Sequence, residues 1–107
     1  MTYRLSAAAR FELHEIIESF ARENRGRAIR FVDDLTNSIS LLESNPRMGP
    51  QHTHGTRRLL LSQFSYVLVY KVDEDDCITI VAVSHQRRRP GYWQNRVQEE
   101  PAIYAAA

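Results

Sequence analysis

One strand exit of this 107-residue chain carries an imidazole, three adjacent guanidiniums, a Pro-Gly turn and two aromatic rings. The β-branched run Cys77-Ile78-Thr79-Ile80-Val81-Ala82-Val83-Ser84 reads as a buried strand. It leads directly into His85-Gln86-Arg87-Arg88-Arg89-Pro90-Gly91-Tyr92-Trp93. Guanidiniums grip phosphate or carboxylate oxygens in a planar, two-pronged geometry, while Tyr and Trp add stacking surface with a polar tip. His85 carries an imidazole, a side chain that can take or give a proton. Arg57-Arg58 supplies a second pair of cations, and Arg57 is expected beside Arg88 if its strand pairs within the same sheet.

The elements that position this set follow from period and punctuation. Tyr3-Arg4-Leu5 is long enough only for a short edge strand, and Ser6 is a candidate N-cap. Ala9, Leu13, Ile16, Ile17 and Phe20 recur at helical spacing to about Glu23, with Glu18 and Arg22 four apart on the outer side. Asn24-Arg25-Gly26 is the stop signal, assigned to the left-handed freedom of glycine. A second helical set, Ala28, Phe31, Val32, Leu35, Ile39 and Leu42, runs to Pro46, so the two helices form an antiparallel hairpin. Residues 47–55 carry Gly and Pro without a period and read as a surface loop.

Three strands complete the pattern: Arg57 to Leu61, Tyr66 to Val72 and Cys77 to Ser84, with Asp73 to Asp76 as a hairpin turn. Alternation puts Tyr66, Leu68, Tyr70 and Val72 on one face and Val67 and Val69 on the other. In the last strand it groups Ile78, Ile80 and Ala82 against Val81 and Val83. Both faces of this sheet are apolar. The helix hairpin covers one, which leaves the second to the C-terminal segment or to a partner protein. The reading is an α+β domain, a helix hairpin on a small antiparallel sheet, spanning 1–107 as one unit with about 94–107 as a flexible tail, frayed from Pro101.

Composition narrows the function. The formal net charge is +1, whereas dedicated nucleic-acid binders carry a clear basic excess. The signs are segregated: acids lie along the first helix and in Asp73-Glu74-Asp75-Asp76, arginines at Arg57-Arg58 and Arg87-Arg88-Arg89. Every basic residue except Lys71 is arginine, a bias toward fork-shaped recognition. The lone Cys77 has no partner for an internal bridge, and no apolar run is long enough to span a bilayer, so a reducing cytoplasm is expected. His52 and His54 fall short of a metal site without a further Cys, Asp or Glu nearby. No cofactor is expected. Phe11 lies off the apolar face of its helix, either as a partner contact or as an ordinary exposed side chain.

Set in order, these elements resemble the RelE/ParE superfamily of bacterial type II toxins. The residues that carry the resemblance are Pro46 and Gly49, Arg57 and Leu59, Tyr66 through Tyr70, and His85, Arg88, Pro90 and Trp93, across Tyr3 to Trp93. The ending His-x-Arg-Arg-x-Pro-x-Tyr-Trp is more similar to the ParE branch. The resemblance implies a growth-inhibiting, plasmid-stabilising toxin held inactive by a ParD-like antitoxin encoded beside it, in a hetero-oligomer. In the ParE branch the implied target is DNA gyrase; in the RelE branch it is messenger RNA on the ribosome.

The two branches need different chemistry. Ribonuclease cleavage needs a base, cations for the phosphorane and an acid, roles open to His85 with Arg57, Arg87, Arg88 and Tyr92. The near-neutral charge disfavours docking on ribosomal RNA, so binding without catalysis is the main reading, with Arg57, Arg87, Arg88, Arg89, Tyr92 and Trp93 as target or antitoxin contacts. Plainer roles stand beside these. His85 can bond nearby backbone, the arginines can be a solvated run, and Tyr92 and Trp93 can fold back over the open sheet face. A member that binds antitoxin without being toxic is the third alternative.

Overall fold

The computed structural model describes residues 3–88, 91–98 and 103–105. In chain order it holds β1 (Tyr3–Ser6), α1 (Ala7–Glu23), α2 (Arg25–Ser44), a single 3-10 turn (Thr53–Gly55), β2 (Arg57–Leu60), β3 (Tyr66–Val72), β4 (Ile78–His85), α3 (Gln94–Gln98) and β5 (Ile103–Ala105). The sheet order is β2-β3-β4-β1-β5. The α+β class and the helix hairpin stand as expected, with one change in the sheet. β1 runs parallel to β4, Tyr3 opposite Ile78 and Leu5 opposite Ile80, because the hairpin carries the chain across the sheet before β2 begins. It is an interior strand, since β5 pairs with its other side.

A single residue breaks the two helices. Asn24 is extended (φ −165°, ψ 117°), its N–H donates to the Phe20 carbonyl at 2.8 Å, and its side chain accepts from the Arg27 N–H at 3.1 Å. It closes α1 and caps α2 at once. Gly26 therefore sits inside the first turn of α2 and the break belongs to Asn24. At the far end Asn45 caps α2 on the Leu41 carbonyl, and Pro46 follows where no helix can continue. On α1, Glu18 pairs with His14 at 3.0 Å rather than with Arg22.

The main core lies between the hairpin and the sheet. Phe31, Leu42, Leu68, Tyr70, Ile78, Ile80 and Val83 are buried there, and Phe20, Phe31, Phe64 and Tyr66 stack with centroids 5.2–6.0 Å apart. Buried Asp34 on α2 pins the β2–β3 loop, accepting from Ser62 Oγ at 2.6 Å and the Gln63 N–H at 2.9 Å. The second face holds its own cluster: Val67, Val69, Val81, Ala82 and Trp93, with Tyr92 and Val97 packed beside them. The C-terminal segment thus covers the second face. Part of the expected flexible tail is α3 and β5.

The faces of β4 differ from strict alternation. Val69 pairs with Ala82 while Tyr70 pairs with Ile80, so Val81 is the extra residue of a bulge. Val81 and Ala82 both join the second face, and Val83 returns to the helix side.

Gly49, in the loop after α2, lies against β2 and β3. Its N–H donates to the Tyr70 phenol oxygen at 3.0 Å, and a Cβ there would stand 2.6 Å from the Arg58 carbonyl oxygen and 2.7 Å from the Tyr70 oxygen. Gly49→Ala is expected to lower stability by about 1–3 kcal/mol, read as an earlier urea midpoint. An unchanged midpoint would show that the loop yields freely.

Candidate functional site

The strand exit is built around a residue far from it in sequence. Beyond Ile80, β4 has no strand partner on the β1 side among the described residues, because Ser6 ends β1 and the chain turns into α1. Side chains fill the vacated ladder. The Val83 N–H donates to Glu12 Oε1 at 3.2 Å, and the Val81 carbonyl accepts from Ser6 Oγ at 3.4 Å and Arg96 Nη1 at 3.1 Å. Ser6 also caps α1 through the Ala9 N–H at 3.1 Å. A buried polar ladder must be paired in this way or its desolvation is uncompensated.

Glu12 then gathers the C-terminal segment. Arg96 grips it as a fork, Nη1 to Oε1 at 2.8 Å and Nη2 to Oε2 at 3.3 Å, and the Tyr92 hydroxyl donates to Oε2 at 2.5 Å. Arg88 approaches the same oxygen at 3.8 Å. Tyr92 lies between two cations, with the Arg88 Cζ 3.8 Å and the Arg96 Cζ 5.0 Å from its ring centre. Gly91, at φ +81°, makes the turn that brings Tyr92 and Trp93 back over the sheet.

Burial, followed by the Glu12 contact, pushes the Tyr92 phenol from 10.0 up to about 12. A folded-state value above the unfolded one stabilises the chain fully below pH 10, and that contribution is lost as pH climbs from 10 through about 12. Burial also raises Tyr3, Tyr66 and Tyr70. The melting temperature is therefore expected to fall as pH rises past 10, and Tyr92→Phe to flatten part of that fall. An identical alkaline slope in Tyr92→Phe would contradict the contact with Glu12.

The expected site residues separate into distinct places. Arg88, His85 and Tyr92 do meet, lining a cleft with His52, Arg58, Ser84 and Trp93. Arg57 is elsewhere. It shares the face of Leu59, and its guanidinium donates to the Gly49 carbonyl at 2.8 Å and the Arg47 carbonyl at 3.1 Å. The cation across the cleft from Arg88 is Arg58, paired in register with Val69. Arg87 is exposed, and its N–H donates to His85 Nδ1 at 3.1 Å, a contact within the turn and not with a neighbouring strand. Arg89 and Pro90 lie outside the described residues. Trp93 is 2 % exposed, so it closes the core and presents no contact surface.

His52 and His54 pack against the Trp93 ring at 5.8 and 6.0 Å. Burial and the Arg58 charge hold His52 below its ordinary value, which favours the neutral ring. Phe11 is exposed on α1, near Leu5, Leu13 and Ile17.

Glu12, Arg58 and Arg96 were not among the expected site residues. Glu12 had a signal: it lies three after Ala9 and four before Ile16, on the apolar face of α1, where an acid needs a partner. Arg58 could have been placed by alternation with Leu59.

Chemically, the cleft offers an oxyanion two guanidiniums, Arg58 and Arg88. Tyr92 is engaged by Glu12 and raised to about 12, far from a useful acid at neutral pH. The cleft encloses about 50 Å³, below the roughly 300–1,000 Å³ of a small-molecule site. What remains is an exposed guanidinium at Arg88 beside Arg58 and His85.

Residues 3–90 match the model of the ParE toxin of the type II toxin–antitoxin system parDE. The chain belongs to the ParE toxin family. Toxin ParE1 of Mycobacterium tuberculosis, in strains CDC 1551 / Oshkosh and H37Rv, is 34 % identical over 89 residues, covering 79 % of this chain and 89 % of the relative. A solved chromosomal ParDE TA system from P. aeruginosa shares the fold, with a TM-score of 0.68 at 19 % identity over 79 % of this chain and 95 % of that one. In this ParE-family chain the match spans the strand exit up to Pro90, while Tyr92, Trp93 and Arg96 lie just past it.

Proposed function

We propose that this ParE-family chain is a growth-arresting toxin that acts by binding, with DNA gyrase as its target. A cognate ParD-like antitoxin encoded beside it neutralises it in a toxin–antitoxin hetero-oligomer, in the cytoplasm. The observation that supports binding over catalysis is the state of the strand exit. Arg88 is exposed and preset, whereas one candidate proton donor, Tyr92, is tied to Glu12. Two guanidiniums, Arg58 and Arg88, facing one cleft suit recognition of an oxyanion. Family membership supports the antitoxin.

Induced alone in a bacterial host, the chain is expected to arrest growth, and co-expression of the neighbouring ParD-like protein to restore it. Growth untouched by the chain alone would overturn toxicity and leave an antitoxin-binding module.

A further inference from the structure

We propose that Glu12 is a positioning residue for Arg88: it fixes the guanidinium by charge alone and leaves the N–H groups free for a partner oxyanion. This rests on reading the strand exit as a recognition surface. An ionised carboxylate offers about four acceptor positions, and other donors use all of them. Oε1 accepts from the Val83 N–H (3.2 Å) and Arg96 Nη1 (2.8 Å), Oε2 from the Tyr92 hydroxyl (2.5 Å) and Arg96 Nη2 (3.3 Å). Arg88 arrives as a fifth donor, 3.8 Å from Oε2 and beyond hydrogen-bond reach.

Two forces still hold Arg88. One is the charge of Glu12, whose side chain is 10 % exposed and little screened by water. The other is the Tyr92 ring beneath its Cζ. The two arginines therefore do different things. Arg96, 22 % exposed, commits its donors to Glu12 and the Val81 carbonyl, while Arg88, 54 % exposed, donates no side-chain hydrogen bond to any of the described residues. A long side chain fixed before its partner arrives loses less freedom on association. The chemistry it fits is a carboxylate or phosphate taken in two-pronged fashion.

Nitrogen-15 NMR of the arginine Nε–H groups in the isolated chain reads the positioning without reference to toxicity. In the unaltered chain the Arg88 signal is expected to be displaced by the Tyr92 ring. Glu12→Gln keeps an acceptor for the Val83 N–H but removes the charge. It is expected to move the Arg88 signal to that of a free arginine and to weaken growth arrest by about tenfold. Most of that weakening is expected to vanish when Arg88 is already alanine. Tyr92→Phe decides the matter if Glu12→Gln does not fold: it keeps the ring but frees a position on Oε2, so Arg88 closes onto the carboxylate and its N–H exchanges more slowly. An Arg88 signal unchanged in Glu12→Gln, or an equal weakening with and without Arg88, would make Glu12 a structural clamp only. An unaltered chain that spares growth would count against the toxin reading, and the NMR shifts would still decide the positioning.

Discussion

Replacing Trp93 by alanine is expected to lower stability by about 3–5 kcal/mol. Trp93 is the largest side chain of the second core, 2 % exposed against Val67, Val69, Val81 and Ala82. Its loss opens a cavity and strips the cover from the apolar patch of Val67, Val69, Val81 and Ala82. Small domains hold only about 5–15 kcal/mol in all, so a large part of the folded margin would go. Denaturant titration measures the loss, and a dye that binds exposed apolar surface reports the bared face. A midpoint near that of the unaltered chain, with no dye bound, would show that the C-terminal segment does not close the second face.

Glu12→Ala is expected to cost about 3 kcal/mol or more, because it leaves partners behind rather than merely removing a contact. Arg96 would keep a charge that is largely buried, the Tyr92 hydroxyl would lose its acceptor, and the Val83 N–H would be unpaired at a bare strand edge. Glu18 on the same helix is the control. It is 56 % exposed and pairs with His14, so Glu18→Ala is expected to stay within about 0.5 kcal/mol. Thermal melts of the two variants side by side read the difference, and equal shifts would mean that the Glu12 cluster adds nothing to the fold.

The helix hairpin and the three central strands were legible because their signals are local: apolar residues at helical spacing, β-branched alternation, Pro46 and the Asp73–Asp76 turn. What escaped depends on distance or on a single residue. The Val81 bulge hides inside a run with small or β-branched residues on both sides, so nothing in Ile78 to Val83 marks where alternation slips. The parallel partner of β1 is set by how the hairpin crosses the sheet, which no four-residue strand records. Gly26 looked like the helix stop because glycine is the commoner breaker, yet the Asn24 side chain does the capping. Arg57 and Arg58 are adjacent and chemically equal, so only the face of Leu59 tells them apart. Glu12 meets Tyr92 and Arg96 across 80 and 84 residues, and the sequence shows only that an acid stands on an apolar stripe.

The central claim is that a preset guanidinium at the strand exit binds a target without cleaving RNA. A gyrase supercoiling reaction with the purified chain tests it most directly, run beside ribosome-bound messenger RNA with the same preparation. The expected result is blocked supercoiling with accumulation of cleaved DNA and intact messenger RNA. In Arg88→Ala the gyrase effect is expected to weaken by about tenfold or more without vanishing, with little change in melting temperature. Gyrase left untouched while messenger RNA is cut on the ribosome, with the cutting abolished in His85→Ala, would contradict it.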